Sequence, residues 1–91
     1  MQTAKSAGVK SLRLALDTLE EIAAAEDEIG ISELAKRLGV AKGSLFRHLQ
    51  TLVTRGYLQQ NAQTARYRLG IKARLLGRLS ADKGDLLSAA H

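Results

Sequence analysis

The pattern of apolar and polar residues along this chain predicts four helices and one β-hairpin. A helical period starts at Ser11, a candidate N-cap, and runs to about Glu26. Its acidic residues fall opposite an apolar face formed by Leu12, Ala15, Leu16, Leu19, Ile22 and Ala23. Residues 1–9 before it are polar and aperiodic, so a mobile arm is expected there. The acidic loop Glu26–Gly30 follows, and Ile29 is expected in a short extended piece.

Two short helices joined by a tight turn are predicted after this loop. Ser32 is a suitable N-cap for the first, and Gly39 can end it in a left-handed conformation without a Cβ clash. The second runs from about Ala41 to Arg55 and stops at Gly56. Its inward side is formed by Leu45, Leu49, Leu52 and Val53. This order is typical of a helix-turn-helix motif, although an ordinary helical hairpin has similar spacing.

A β-hairpin and a last helix complete the predicted order. Strands over 57–60 and 65–69 flank the polar turn 61–64, and the second strand alternates apolar residues with arginines. The last helix starts at Ile71, with one apolar stripe formed by Ile71, Leu75, Leu79 and Leu86. Glycines 70, 77 and 84 fall opposite this stripe and are interpreted as exposed or helix-weakening positions rather than as a close helix-packing seam. The predicted class is mainly α with a small β-hairpin wing, a winged helix-turn-helix over residues 10–70.

The charges are sorted along the chain in a way that the net charge of +5 does not convey. Residues 14–35 carry seven carboxylates and no Lys or Arg, whereas residues 34–81 carry ten Lys or Arg and no carboxylate. A basic segment without counter-charges favours an anionic partner, and nucleic acid is the commonest one. Because the chain has only three aromatic residues, a stacking platform for single strands is not favoured.

The outward face of the second motif helix is suited to a major groove. On a helical wheel, the arc opposite Leu49 holds small, polar or cationic residues and no acid. Arginine reads guanine edges and glutamine reads adenine edges, mainly from the N-terminal half of such a helix. Phe46, at the rim, is interpreted as an edge of the core rather than a contact to a thymine methyl. The candidate base-contacting residues are Lys42, Gly43, Ser44, Arg47 and Gln50.

Further residues are placed to hold the DNA backbone. The first motif helix should cross the backbone, and the wing should reach a minor groove or a flanking phosphate. For any single cation, a solvated surface charge is the alternative. The candidate backbone contacts are Ser32, Lys36, Arg37, Thr51, Arg55, Arg66 and Arg68.

Other kinds of site find little support. No catalytic residue, metal site or cofactor is expected, because cysteine is absent and His48 and His91 are the only histidines. His48 is interpreted as a residue at the helix rim. The absence of cysteine suits a reducing cytoplasm, and no apolar run approaches the roughly 20 residues that span a bilayer.

The order of these segments resembles the N-terminal winged helix-turn-helix domain of IclR-type bacterial transcriptional regulators. The resemblance covers about residues 9–90 and is carried by SLRLALDTLEEIA, ISELAKRLGVAKGSLFRHLQTLVTRGYL and RYRLG. It implies a homodimer or dimer of dimers, operator binding through the second motif helix, and a small-molecule effector bound by a separate domain. The matched positions are Lys42, Ser44, Arg47, Leu49, Thr51, Leu52, Arg55, Gly56, Tyr57, Arg66, Tyr67, Arg68 and Gly70.

The chain departs from the family pattern in places. The family often has Lys-Ser-Thr where this chain has Lys42-Gly43-Ser44, a His or Tyr at Phe46, and a Gly at Ala65. The sensing domain is not among the 91 residues. We therefore expect a DNA-binding part of a longer regulator, in which residues 71–91 form a helix leading to the effector domain; a natural stand-alone protein is the alternative.

The favoured function is sequence-specific binding of double-stranded DNA by a homodimer on a palindromic operator. The helix over 41–55 would lie in the major groove, the first and last helices would form the dimer surface, and the acidic face of the first helix would point away from DNA. The alternative is a winged-helix protein-interaction module without direct DNA readout, in which the first helix and Glu26–Glu28 dock a basic partner. An enzyme is not favoured.

Overall fold

The computed structural model describes residues 9–79 and has the predicted order of elements. They are α1 (Lys10–Ala24), α2 (Ile31–Leu38), α3 (Lys42–Thr54), β1 (Leu58–Gln60), β2 (Tyr67–Leu69) and α4 (residues 71–79). The mainly α class with a two-stranded wing is confirmed. Residues 1–8 of the arm expected over residues 1–9, and the end of the last helix with Gly84 and Leu86, lie outside the described residues.

The helix starts differ from the sequence prediction, whereas the predicted turn glycine is confirmed. The N-caps of α1 and α2 are Val9 and Gly30, neither with a side-chain capping bond, so the assignments of Ser11 and Ser32 as caps are wrong. Gly30 has extended backbone, and its carbonyl accepts the first helical bond of α2. Gly39 ends α2 in the left-handed region, at φ 68° and ψ 36°.

The core lies where α1, α2, α3 and the hairpin meet. Leu34, Leu45 and Leu49 are completely buried. Thr18 is also fully buried, and its hydroxyl donates to the Leu14 carbonyl at 2.7 Å, which satisfies it within its own helix. The core is completed by Ile22, Ile29, Ala35, Leu58 and Tyr67. Because Leu45 and Leu49 anchor one side of α3, the opposite side of that helix is held outward.

The wing is a short antiparallel ladder with an additional bridge to the acidic loop. Leu58 pairs with Leu69, and Gln60 pairs with Tyr67. Ile29 then exchanges two backbone hydrogen bonds with Tyr67, of 3.0 and 2.8 Å, which confirms the extended piece expected there. Burial raises the pKa of the Tyr67 hydroxyl, so this side chain stays neutral at physiological pH.

The wing turn contains Ala65 at φ 65°, the one non-glycine residue with positive φ among residues 9–79. Left-handed backbone places Cβ close to the next carbonyl oxygen, which glycine avoids. We expect Ala65→Gly to raise the free energy of unfolding by about 0.5–1 kcal/mol, measured by urea denaturation. Ala62→Gly, in the same turn without positive φ, should lower it or leave it unchanged. Equal effects of the two changes would contradict the strain at Ala65.

The expectation that the spaced glycines are exposed is wrong for Gly70. Gly70 is buried, because the junction between β2 and α4 crosses the junction between α3 and β1. Its N–H donates to the Tyr57 carbonyl at 2.8 Å, and a Cβ on it would lie 2.5 Å from the Gly56 oxygen. Gly77 is exposed, as predicted, with no atom within 4 Å of such a Cβ.

Candidate nucleic-acid interface

The outer side of α3 presents an acid-free polar surface. All five residues predicted to contact bases are exposed: Gly43, Ser44, Arg47 and Gln50 lie on the arc away from the buried Leu45 and Leu49, and Lys42 is the first residue of the helix. Farther along the helix, a shallow open groove has a cationic and hydroxyl-bearing lining formed by Arg47, Gln50, Thr51, Thr54 and Arg55. The structure therefore places Gly43, Ser44, Arg47 and Gln50 on the outward arc of α3, with Lys42 exposed at the start of the helix.

Hydrogen bonds within α3 determine what two of its side chains offer. The Thr51 hydroxyl donates to the Arg47 carbonyl at 3.2 Å, so its oxygen only accepts while that bond persists. A phosphate contact needs a donor, so this hydroxyl would have to rotate. His48 is half-buried, and its Nδ1–H donates to the Ser44 carbonyl at 2.9 Å, since a carbonyl can only accept. His48 thus lies at the helix rim, as predicted.

Phe46 is not a core residue. The residue is 43% exposed and lies outside the core cluster, so the interpretation as an edge of the core is wrong. The α1 helix packs beside His48 and Leu52, on the other flank of α3. An exposed aromatic ring therefore borders the base-contacting candidates.

The two cations of α2 have different surroundings. Lys36 is exposed, and so is Ser32 in the first helical turn. Arg37 instead forms ion pairs with Glu21 of α1 at 3.4 Å and with Glu33 of its own helix at 3.1 Å. The separation of acids and cations along the sequence is thus lost at Arg37, because α1 packs against α2. It also means that the carboxylates of α1 do not all point away from the motif.

The wing presents two exposed arginines in different settings. The Arg68 Nε–H donates to the Gln59 oxygen across the strand pair at 3.3 Å. The stem of Arg66 passes beside the start of α2, with Cγ 4.0 Å from the position of a Cβ on Gly30. Arg66 therefore lies next to the N-terminus of α2, close to Ser32.

Two cations that sequence reasoning missed lie at the beginning of α1. Lys10 and Arg13 line an open cavity together with Ser44 and His48 of α3, and Asp17 lies in the same lining. The available signal was their position just before the acidic stretch of residues 14–35. The N-terminal turn of α1 thus extends the basic surface beside α3.

Lys72 and Arg74 of α4 have different surroundings. The Lys72 ammonium lies 5.7 Å from the centre of the Tyr57 ring, within the range of a cation–π contact. Arg74 lines a small depression that also contains Arg68, Glu26 and Asp27. Lys72 thus lies against the junction between α3 and β1, whereas Arg74 lies near the acidic loop.

Within residues 9–79, no group of three or more metal-ligating side chains is close enough to hold an ion. No helix of that range combines the length and apolarity needed to cross a membrane.

Comparison with known proteins agrees with this architecture. The model of the IclR helix-turn-helix domain matches residues 11–62. The transcriptional regulator KdgR of Escherichia coli is 38% identical over 65 residues, which are 71% of this chain and 25% of that protein. The glycerol operon regulatory protein of Streptomyces coelicolor is 34% identical over 82 residues, which are 90% of this chain and 32% of that protein.

Solved structures give the same result. The crystal structure of Pseudomonas aeruginosa HmgR superposes with a TM-score of 0.80 at 32% identity, over 90% of this chain and 34% of that one. The crystal structure of an IclR family regulator from Brucella abortus superposes with a TM-score of 0.72 at 33% identity, over 79% of this chain and 27% of that one. The chain thus spans about a quarter to a third of these relatives. Because the matched span includes all of α2, α3 and β1, the chain belongs to the IclR family and carries its DNA-binding helix-turn-helix domain.

Proposed function

We propose that this chain binds double-stranded DNA sequence-specifically, with α3 in the major groove. One observation carries the proposal: the outward arc of α3 has no acid and gathers Ser44, Arg47 and Gln50, with Lys42 exposed at the helix start, while the opposite side of α3 is buried in the core. An α-helix fits the width of the major groove, and only there do all four base pairs differ in donors and acceptors.

The side chains of α3 suit different parts of this task. Arg47 would donate to the O6 and N7 atoms of guanine, and Gln50 would pair with an adenine edge. A Cβ on Gly43 would meet no atom within 4 Å, so packing does not require a glycine there. A glycine inside a helix costs stability, and at Gly43 it would let the backbone approach the DNA closely.

The backbone contacts follow from exposure and from existing partners. Exposed residues whose hydroxyl, ammonium or terminal guanidinium nitrogens have no partner among residues 9–79 are the first candidates, and Arg68 is one of them because only its Nε–H is bonded. Thr51 and Arg37 would have to give up a bond. Lys10 and Arg13 join them, since they lie beside Ser44. The proposed set is Ser32, Lys36, Arg55, Arg66 and Arg68, with Lys10 and Arg13 added.

A second copy of the chain would complete the site. Large apolar side chains are exposed on α1 and α4, where Leu12, Leu16, Leu75 and Leu76 are each about half exposed, at 56, 49, 50 and 54%. A two-fold pair burying these side chains would place two α3 helices on half-sites one or more helical turns apart, which is a palindromic operator. Residues 10–70 would then be the DNA-binding unit, and residues 71–91 would lead towards an effector-sensing domain of a cytoplasmic regulator.

A salt titration of binding to a mixed-sequence duplex separates this function from a protein-interaction module. We expect log Kd to rise steeply with log salt, with a slope of magnitude about 4 or more, because each neutralised phosphate contributes about 0.9. Single-stranded DNA of the same sequence serves as the control and should give a shallower slope. Absence of duplex binding even at low salt would favour the interaction module, whose acidic loop would dock a basic protein.

A further inference from the structure

Glu28, in the acidic loop, is hydrogen-bonded to the tip of the wing. Its carboxylate accepts from the Asn61 side-chain amide at 3.1 and 3.3 Å, and from the Thr64 hydroxyl at 3.3 Å. Glu28 is half-buried, whereas Glu26 and Asp27 are exposed. Among residues 9–79, the side-chain hydrogen bonds to this loop's carboxylates all go to Glu28. One acid of three is therefore used by the wing.

The same two wing side chains hold the backbone around Arg66. The Asn61 side-chain oxygen accepts from the N–H groups of Gln63 and Thr64 at 2.8 and 3.2 Å. The Thr64 hydroxyl, which donates to Glu28, accepts from the Arg66 N–H at 3.2 Å. Two consecutive hydrogen bonds thus connect Glu28 to the backbone of Arg66.

We propose that Glu28 is a positioning residue for DNA binding, which orders the wing so that Arg66 meets a phosphate. This inference rests on the proposed function, since it gives the wing a DNA contact. The carboxylate fixes Asn61 and Thr64, and a segment that is ordered before binding does not lose that freedom on binding. A negative charge near the interface thereby strengthens the binding of a polyanion, although by Coulomb's law alone it would weaken it.

The opposing directions of these effects give a matched test. Glu28→Ala and Glu26→Ala remove the same charge from the same loop, and both are measured as Kd of the 91-residue chain for a mixed-sequence duplex. Glu26→Ala should bind as tightly as the wild type or up to about threefold more tightly, because repulsion falls. Glu28→Ala should bind about three- to tenfold more weakly, since the wing must be ordered on binding. Its salt slope should fall by up to about one.

Two further variants separate positioning from general support of the fold. Glu28→Gln keeps an oxygen for Asn61 and should stay within about twofold of the wild type. In an Arg66→Ala background, Glu28→Ala should weaken binding by less than about twofold, because the group that it positions is gone. Amide exchange gives a readout without DNA: the Arg66 amide should exchange faster in Glu28→Ala, while the amides of α3 keep their protection.

Three outcomes would overturn the inference. If Glu28→Ala, like Glu26→Ala, binds the duplex as tightly as the wild type or more tightly, Glu28 is a simple repulsive charge. An equal loss with and without Arg66, accompanied by faster exchange in α3, would make Glu28 a support of the whole fold. Failure of the wild type and Glu26→Ala to bind duplex DNA would overturn the proposed function and this inference together, whereas the first two outcomes leave that function intact.

Discussion

Gly70→Ala is expected to lower the free energy of unfolding by about 3 kcal/mol or more, since overpacking costs up to about that and backbone hydrogen bonds open as well. The added Cβ would lie 2.5 Å from the Gly56 oxygen and 3.0 Å from two backbone atoms of Leu58. These atoms cannot rotate away as a side chain can. Their positions are held by the bonds from Gly70 to Tyr57 and from Lys72 to Gly56, of 2.8 and 3.0 Å.

The loss at Gly70 would be a large fraction of the total stability, because domains have about 0.05–0.15 kcal/mol per residue. Gly77→Ala is the matched control on α4. It meets no atom within 4 Å, and replacing a helical glycine should raise the free energy of unfolding by about 0.5–1 kcal/mol. Urea denaturation followed by circular dichroism measures both variants. Similar small effects of the two substitutions would show that the crossing of the two junctions is looser than described.

Arg47→Ala is expected to cost about 1–3 kcal/mol of binding free energy on the preferred DNA sequence, as for loss of a bidentate guanine contact. Its side chain is exposed on the acid-free face, midway between Ser44 and Gln50. Because the arginine would read a base edge, the penalty should be much smaller on unrelated duplexes. The variant should therefore bind DNA with a relaxed sequence preference.

Arg55→Ala provides the comparison for Arg47. Arg55 follows the last residue of α3 and is exposed at the end farther from the base-contacting candidates. If Arg55 contacts a phosphate, Arg55→Ala should lower the affinity for all duplexes equally and reduce the salt slope by about one. Fluorescence anisotropy with the preferred and scrambled duplexes measures both variants. If Arg47→Ala also lowers the affinity for both duplexes equally, Arg47 contacts a phosphate and not a base.

The fold was largely predictable because its helices are set by local apolar periodicity. The buried side of α3 follows from a helical wheel alone, and so does the exposed face opposite it. The cap assignment at Ser32 failed for a different reason. Extended backbone at Gly30 is fixed next to the bridge between Ile29 and Tyr67, and that bridge joins segments distant in sequence.

The parts of the site that could not be predicted depend on contacts between distant segments. Arg37 is paired with Glu21, 16 residues away, and Glu28 is bonded to Asn61, 33 residues away. Gly70 is an ordinary glycine in the sequence, and only the crossing of two junctions makes it irreplaceable. Lys10 and Arg13 likewise become part of the basic surface through the packing of α1 against α3.

Selection of bound sequences from a random duplex pool, followed by dimethyl sulfate protection of the selected site, tests most directly whether α3 reads the major groove. Dimethyl sulfate methylates guanine N7, which lies in that groove. We predict an enriched sequence in two inverted copies, with a guanine in each that the wild type protects and Arg47→Ala does not. Tight binding without any enriched sequence, or an enriched site whose guanine N7 atoms stay fully reactive, would contradict readout of the major groove by α3.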